Sequence, residues 1–123
     1  MTIRGVDHIN IATEALEQTR SFYVDVLGLE EGWRPDFSFA GHWLYADGKP
    51  IVHLQQSPMS VGSSTESALN HFAFNVTDLD QMLATLDQHG IAYRALDVPG
   101  TDIRQAFLMD PNGVRVELNF KPG

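Results

Sequence analysis

Four side chains in this sequence could share one divalent cation: His8, His53, His71 and Glu117. Two of them head short motifs of the same form. DHINIA at 7–12 sets His8 ahead of Ile9 and Ile11, and NHFAFNV at 70–76 sets His71 ahead of Phe72, Phe74 and Val76. The other two follow at matching distances, 45 residues from His8 to His53 and 46 from His71 to Glu117. Each residue taken alone is ordinary. A strand histidine is usually a satisfied polar group, a strand glutamate is usually solvated, and one wet face of an antiparallel sheet explains polar parity. A wet face does not explain why equivalent slots in both halves hold imidazole, imidazole, imidazole and carboxylate. That set, with no thiolate, suits a borderline divalent ion such as Zn²⁺, Ni²⁺, Co²⁺, Mn²⁺ or Fe²⁺.

Strand parity sorts these residues onto one face. Successive side chains alternate, so His8 lies with Val6 and Asn10, opposite Ile9 and Ile11. His53 lies with Ile51 and Gln55, opposite Val52 and Leu54. His71 lies with Leu69, Ala73 and Asn75, opposite Phe72, Phe74 and Val76. Glu117 lies with Arg115 and Asn119, opposite Val116, Leu118 and Phe120. Each strand thus offers a greasy face to pack against a helix and a face bearing one metal-competent group. An amide two residues along (Asn10, Gln55, Asn75, Asn119) is placed to hydrogen-bond behind a ligand.

The elements that must position them read as one unit written twice, β-α-β-β-β. The first opens with a strand over 5–12, a Thr13 cap, a helix over 14–27 and Gly28 beyond its end. The second opens with a strand over 68–76, a capping box from Thr77 to Asp80, and a helix carrying Leu79, Met82, Leu83 and Leu86 that stops at Gly90. Strands at 43–46 and 51–54 flank the turn DGKP, and strands at 106–109 and 114–120 flank DPNG. The small polar stretch 57–67 is the expected linker, leaving modules 1–56 and 68–123. The fold class is therefore α+β, with two βαβββ modules forming a cupped mixed sheet and helices on its outer face.

Bulk composition narrows the function further. The 123 residues are 43% hydrophobic and 20% charged, as in a globular domain. A net charge of −8 disfavours nucleic acid and anionic membranes as partners. The absence of cysteine removes disulfides, thiolate ligands and a cysteine nucleophile. No apolar run is long enough to span a bilayer, and MTIRGVDHIN has no signal-like apolar segment, so a cytoplasmic location is expected.

Together, VDHINIAT, SFYVDVLGLEEGW, NHFAFNV and DPNGVRVEL make the chain resemble the vicinal oxygen chelate superfamily. That superfamily includes glyoxalase I, extradiol dioxygenases, methylmalonyl-CoA epimerase, and fosfomycin and bleomycin resistance proteins. The resemblance implies paired βαβββ modules, a homodimer with sites at or near the subunit interface, and metal ligands on the first and last strands of each module. Those positions are His8, His53, His71 and Glu117. The His53 slot departs from the pattern, since glyoxalase I has a carboxylate there and the epimerase an amide. His53 is thus open to three roles: fourth ligand, donor behind the metal, or substrate contact. Whether a site draws on one chain or two also stays open.

The expected chemistry is that of a lyase or isomerase on a small substrate chelated through two oxygens. The metal acts as a Lewis acid, and Glu117 is the base that moves a proton beside the polarised carbonyl, with His53 as a further catalytic candidate. The same residues fit an Fe(II) extradiol dioxygenase, with His8, His71 and Glu117 as the triad. A fosfomycin-type thiol transferase ranks lower, because cationic groups are few and Arg34, Lys49, Arg94, Arg104 and Arg115 cannot be placed from sequence. A non-catalytic antibiotic binder is the reading of another class. It would use an acidic aromatic groove, and Trp33, Phe37, Phe39, Trp43 and Tyr45 cluster in sequence. Core and dimer packing is the plainer account of most of these, with Trp43, Tyr45 and Asn10 kept as substrate contacts. His89 at a helix end and His42 beside Gly41 match no family position, and Asp47 and Lys49 read as turn residues.

Overall fold

The chain alternates two periodicities, and the computed structural model turns each into the expected element. It describes residues 2–60 and 62–122. Met1, Val61 and Gly123, at the outer ends of the expected modules and inside the expected linker, lie outside the described residues. Two compact units, Met1–Val61 and Gly62–Gly123, each run β-α-β-β-β. The first has β1 (Ile9–Thr13), α1 (Leu16–Ser21) continued by a π-helical turn (Phe22–Val26), β2 (Glu30–Gly32), β3 (Gly41–Ala46) and β4 (Lys49–Gln56). The second has a 3₁₀ turn (Ser64–Glu66), β5 (His71–Asn75), α2 (Leu79–Gln88), β6 (Arg94–Asp97), β7 (Arg104–Met109) and β8 (Arg115–Phe120). No helix among the described residues is long and apolar enough to cross a membrane.

Each unit builds a four-stranded mixed sheet of the same topology. The orders are β1-β4-β3-β2 and β5-β8-β7-β6. The opening strand pairs in parallel with the last, and the remaining pairs are antiparallel. This register sets Asn10 beside His53, Trp43 beside His53, His71 beside Arg115, and Glu117 between Ala73 and Phe107. The alternating apolar residues go inside. Ile11, Leu44, Val52 and Leu54 pack with Phe22, Tyr23, Leu27 and Leu29 in the first unit. Leu79, Leu86, Ala106, Leu108, Val116 and Leu118 form the core of the second. A buried leucine or phenylalanine contributes about 1.5–3 kcal/mol, so these faces hold the polar faces in place.

Several boundaries differ from the sequence reading. β1 begins at Ile9 rather than residue 5, so His8 sits just ahead of the strand. β5 begins at His71 rather than 68, and inside the expected linker the Ser64 hydroxyl donates to the Asn70 carbonyl (2.6 Å) and accepts from the Arg115 N–H (2.8 Å). Thr13 does not cap α1, whose N-cap Ala15 has no side-chain bond. Its hydroxyl accepts from the Ala15 N–H (2.9 Å) and bonds the buried Thr19 hydroxyl (3.0 Å). α2 is capped by Asp78 rather than Thr77: its carboxylate accepts from the Gln81 N–H at 3.0 Å, where an anion also meets the helix dipole. β2 and β6 carry mostly exposed residues, so no alternation betrayed them. The expected hairpin at DGKP turns on Asp47 and Gly48, both at positive φ (52° and 76°), the pair of conformations a two-residue type I′ turn requires.

Candidate metal centre

In the first unit the two histidines meet ring on ring. Their centroids lie 3.8 Å apart with planes 12° from parallel. Trp43, across the strand pair, stacks on His53 at 4.1 Å and 13°. Two near-parallel partners at such distances must cover opposite faces, so His53 is the middle ring of three. Its Nε2 faces the Pro50 carbonyl at 3.1 Å. A carbonyl only accepts, so Nε2 carries the proton and Nδ1 keeps a lone pair. Burial, helped by the neighbouring His8, lowers the His53 pKa from its ordinary value, so this imidazole is neutral at pH 7. His8 is oriented by Asp7, whose carboxylate lies 2.7 Å from Nδ1 and leaves Nε2 bare. A carboxylate behind an imidazole is the arrangement that fixes a metal-ligating histidine.

The stack constrains what His53 can do. An imidazole binds a metal in the plane of its ring, at about 2.0–2.1 Å. Lone pairs lying in parallel planes do not converge on one ion. As stacked, His8 and His53 cannot both ligate the same cation, and His53 must leave its place between His8 and Trp43 to become a ligand.

The second unit holds its pair differently. The His71 Nε2 lies 3.2 Å from a Glu117 carboxylate oxygen. Its Nδ1 meets the Asn70 side-chain oxygen at 2.9 Å. The other Glu117 oxygen accepts from the Gln105 side-chain amide at 3.2 Å. Glu117 is 8% exposed, close to full burial for an ionisable side chain. The His71 Nε2 and the Glu117 oxygen 3.2 Å from it are close enough to share one cation lying beside them. Farther along the same face the Asn119 side-chain oxygen is buried and has no hydrogen-bond partner among the described residues. These two donors suit part of a divalent ion's coordination shell, and the orphaned oxygen fits a water or ligand hydroxyl beside it.

Among the described residues no group of three or more histidine, cysteine or carboxylate side chains is placed to hold a metal. The donors occur as two pairs, one per unit. Of the expected substrate contacts, Trp43 stands against His53, but Tyr45 is committed elsewhere. A register shift at Leu44/Tyr45 sets it opposite Pro50, its ring lies over Gly32, and its hydroxyl donates to the Trp33 carbonyl at 2.7 Å. Asn10 bonds Gln55 (3.3 Å) rather than a histidine. Trp33, Phe37 and Phe39 are exposed at 71%, 42% and 43%, which corrects the core half of their expected role and leaves the dimer-packing half open. Arg34 lies over the Phe37 and Phe39 rings and donates to the Phe39 carbonyl.

Sequence reasoning missed Asp7, Asn70 and Gln105. The first two left a signal, since each histidine motif opens with an acceptor residue, DH and NH. Gln105 left none, because it reaches Glu117 only through the β7–β8 register. His42 is expected in a turn or at a strand start, and the second alternative holds. It lies within β3, with Nε2 2.7 Å from Glu17 of α1 and Nδ1 against Glu31 of β2.

The fold and these paired donors define a class, and comparison with known proteins places the chain in it. It belongs to the Glyoxalase/Bleomycin resistance protein/Dioxygenase superfamily, whose model matches residues 5–118. Glyoxylase I 4 of Arabidopsis thaliana is 28% identical over 123 residues, covering 94% of this chain and 70% of that protein. A glyoxalase family protein from Bacillus anthracis superposes with a TM-score of 0.82 at 25% identity, covering 99% of this chain and 98% of that one. The fold is also that of a mutant fosfomycin resistance protein, FosX, from Listeria monocytogenes, in complex with Mn(II) and 1S,2S-dihydroxypropylphosphonic acid. There the TM-score is 0.77 at 16% identity, covering 98% of this chain and 95% of that one.

Proposed function

We propose that this protein is a metal-dependent lyase or isomerase that moves a proton beside a carbonyl of a small chelating substrate. The observation that carries the reading is the His71–Glu117 pair, an imidazole nitrogen 3.2 Å from a nearly buried carboxylate. His8, His71 and Glu117 would hold the ion, with the His8 and His71 rings fixed by Asp7 and Asn70. His53 joins them only by unstacking, and otherwise braces His8. A bound divalent cation would supply Lewis-acid polarisation of the substrate carbonyl. Glu117 takes the proton from the adjacent carbon and returns it to the neighbouring one. Gln105 holds one carboxylate oxygen, so the other, on the His71 side, is the one placed to act as base. Trp43 walls one side of His53 and excludes water there. Mn²⁺ bound by an FosX of the same fold supports the choice of ion class. A homodimer in the cytoplasm, each site built from one chain or two, belongs to the same proposal.

The test is metal retention followed by exchange. Wild-type protein should bind Mn²⁺ or Zn²⁺ and catalyse deuterium exchange beside the carbonyl of hydroxyketone substrates in heavy water. His8→Ala and Glu117→Ala should lose both, and His89→Ala neither. Unchanged metal content in the first two would refute the site. Catechol-dependent oxygen uptake after anaerobic Fe(II) loading would move the assignment to an extradiol-type dioxygenase.

The exposed aromatic run favours a second reading, a binder of flat small molecules. TnmS3 of Streptomyces, described as an antibiotic binding protein, shares the fold at a TM-score of 0.73 and 20% identity. Equal ligand affinity with and without metal would support it.

A further inference from the structure

The sheet face that bears His71 and Glu117 also carries Arg115, which has no ion pair among the described residues. The Arg115 guanidinium lies over the Phe107 ring, 4.5 Å from its centroid. Arg20 pairs with Glu31, and Arg104 with Asp80 and Asp97. Among the described residues Arg115 has neither an ion pair nor a side-chain hydrogen bond. Arg115 and Arg34 are the two half-buried arginines without a carboxylate partner among the described residues, and only Arg34 has a side-chain hydrogen bond, to the Phe39 carbonyl. Stacking on Phe107 satisfies only the flat face of the guanidinium. Its five N–H donors lie in the plane, and a planar fork of donors matches the oxygens of a phosphoryl group or carboxylate.

Register places this fork next to the proposed metal ligands. Arg115 is the direct neighbour of His71 in the parallel β5–β8 ladder. It shares the β8 face with Glu117, two residues on, at a separation of about 7 Å along a strand. Glu117 makes no ion pair with it, its two oxygens facing His71 and Gln105 instead. Arg94, exposed and also without an ion pair among the described residues, is opposite Phe107 in the β6–β7 ladder, on the same face. One face of one sheet thus presents a metal-competent pair, a stacked arginine fork and a second arginine at the rim.

We propose that Arg115 is the receptor for an anionic oxygen group of the substrate, a phosphate, phosphonate or carboxylate, whose other end reaches His71 and Glu117. This rests on the metal reading above for what the far end meets, but not for the anion contact itself. The substrate class becomes a short oxyacid bearing a carbonyl or hydroxyl, bound by charge at one end and by chelation at the other.

The anion contact is tested on metal-free protein by NMR titration with inorganic phosphate and with acetate. Saturable shifts are expected at the Arg115 side-chain Nε–H and around Phe107, with the Arg20 side chain unmoved. Arg115→Met should weaken phosphate binding about ten-fold or more. Arg115→Lys keeps the charge but loses the fork, and should weaken it at least about three-fold; it serves if the Met variant fails to fold. A stronger response to phosphate assigns a phosphoryl or phosphonate substrate, and a stronger response to acetate a carboxylate. No saturable shift at Arg115, or unchanged affinity in both variants, overturns the proposal. Mn²⁺ affinity, read separately by electron paramagnetic resonance, should not fall in Arg115→Met, which removes a positive charge and no metal donor. Failure of wild-type protein to bind Mn²⁺ would sink the metal reading while the phosphate titration still decides the role of Arg115.

Discussion

The two units keep the same strand order and the same parity, yet treat their paired donors in opposite ways. In the first, His8, His53 and Trp43 form a three-ring stack, and the donor nitrogens lie in parallel planes. In the second, His71 and Glu117 face each other edge to edge, flanked by Asn70 and Gln105. Duplication preserved the slots but not the contacts made in them. Replacing the second unit's carboxylate by an imidazole and adding a tryptophan opposite converts a converging pair into a stack. The first unit therefore offers one well-directed donor, His8, and the second offers two.

That contrast can be broken most sharply at the donors. Glu117→Gln or His71→Ala should lower Mn²⁺ affinity by on the order of 100-fold or more, and His8→Ala should do the same, whereas His53→Ala should cost less than about ten-fold; a Mn²⁺ titration followed by electron paramagnetic resonance reads all four. An equal loss in His53→Ala would show that the stack opens on metal binding. Next in size is Trp43→Leu, which removes one stacked face and part of a half-buried ring. It should destabilise the protein by about 2 kcal/mol in urea unfolding. The orienting acceptors follow. Asp7→Ala and Asn70→Ala should each weaken Mn²⁺ by about ten-fold without changing the urea midpoint. The smallest effect compares the helices. Asp78→Ala removes the side-chain cap of α2 and should cost about 1 kcal/mol, while Ala15→Ser, on the uncapped α1, should leave stability equal or slightly higher in the same assay.

Much of this arrangement was legible before any coordinates. The apolar parity of Val52 and Leu54, or of Val116 and Leu118, gave both the strands and the face on which His53 and Glu117 must lie. The repeated spacing marked them as equivalent. What stayed hidden depended on register and on exposed edges. β2 and β6 carry no alternation because little of them is buried. The partners of Tyr45 stayed hidden because shared parity with Trp43 does not survive the register shift beside it. The stacking of His53 could not be read either, since sequence puts a ring on a face but does not set its plane. His42 looked idle because its partners, Glu17 and Glu31, belong to two other elements.

The π-helical turn at Phe22–Val26 gives the first unit a freedom the second lacks. The Leu27 N–H reaches back five residues to the Phe22 carbonyl at 3.1 Å, one more than an α-helix needs. Such a turn is an α-helix holding one surplus residue, and Asp25 within it is exposed. Deleting Asp25 would let the coil tighten to ordinary pitch with Leu27 and Leu29 still facing inward. Loss of one residue here should therefore be absorbed within the helix, leaving the strands that carry the stacked rings in register.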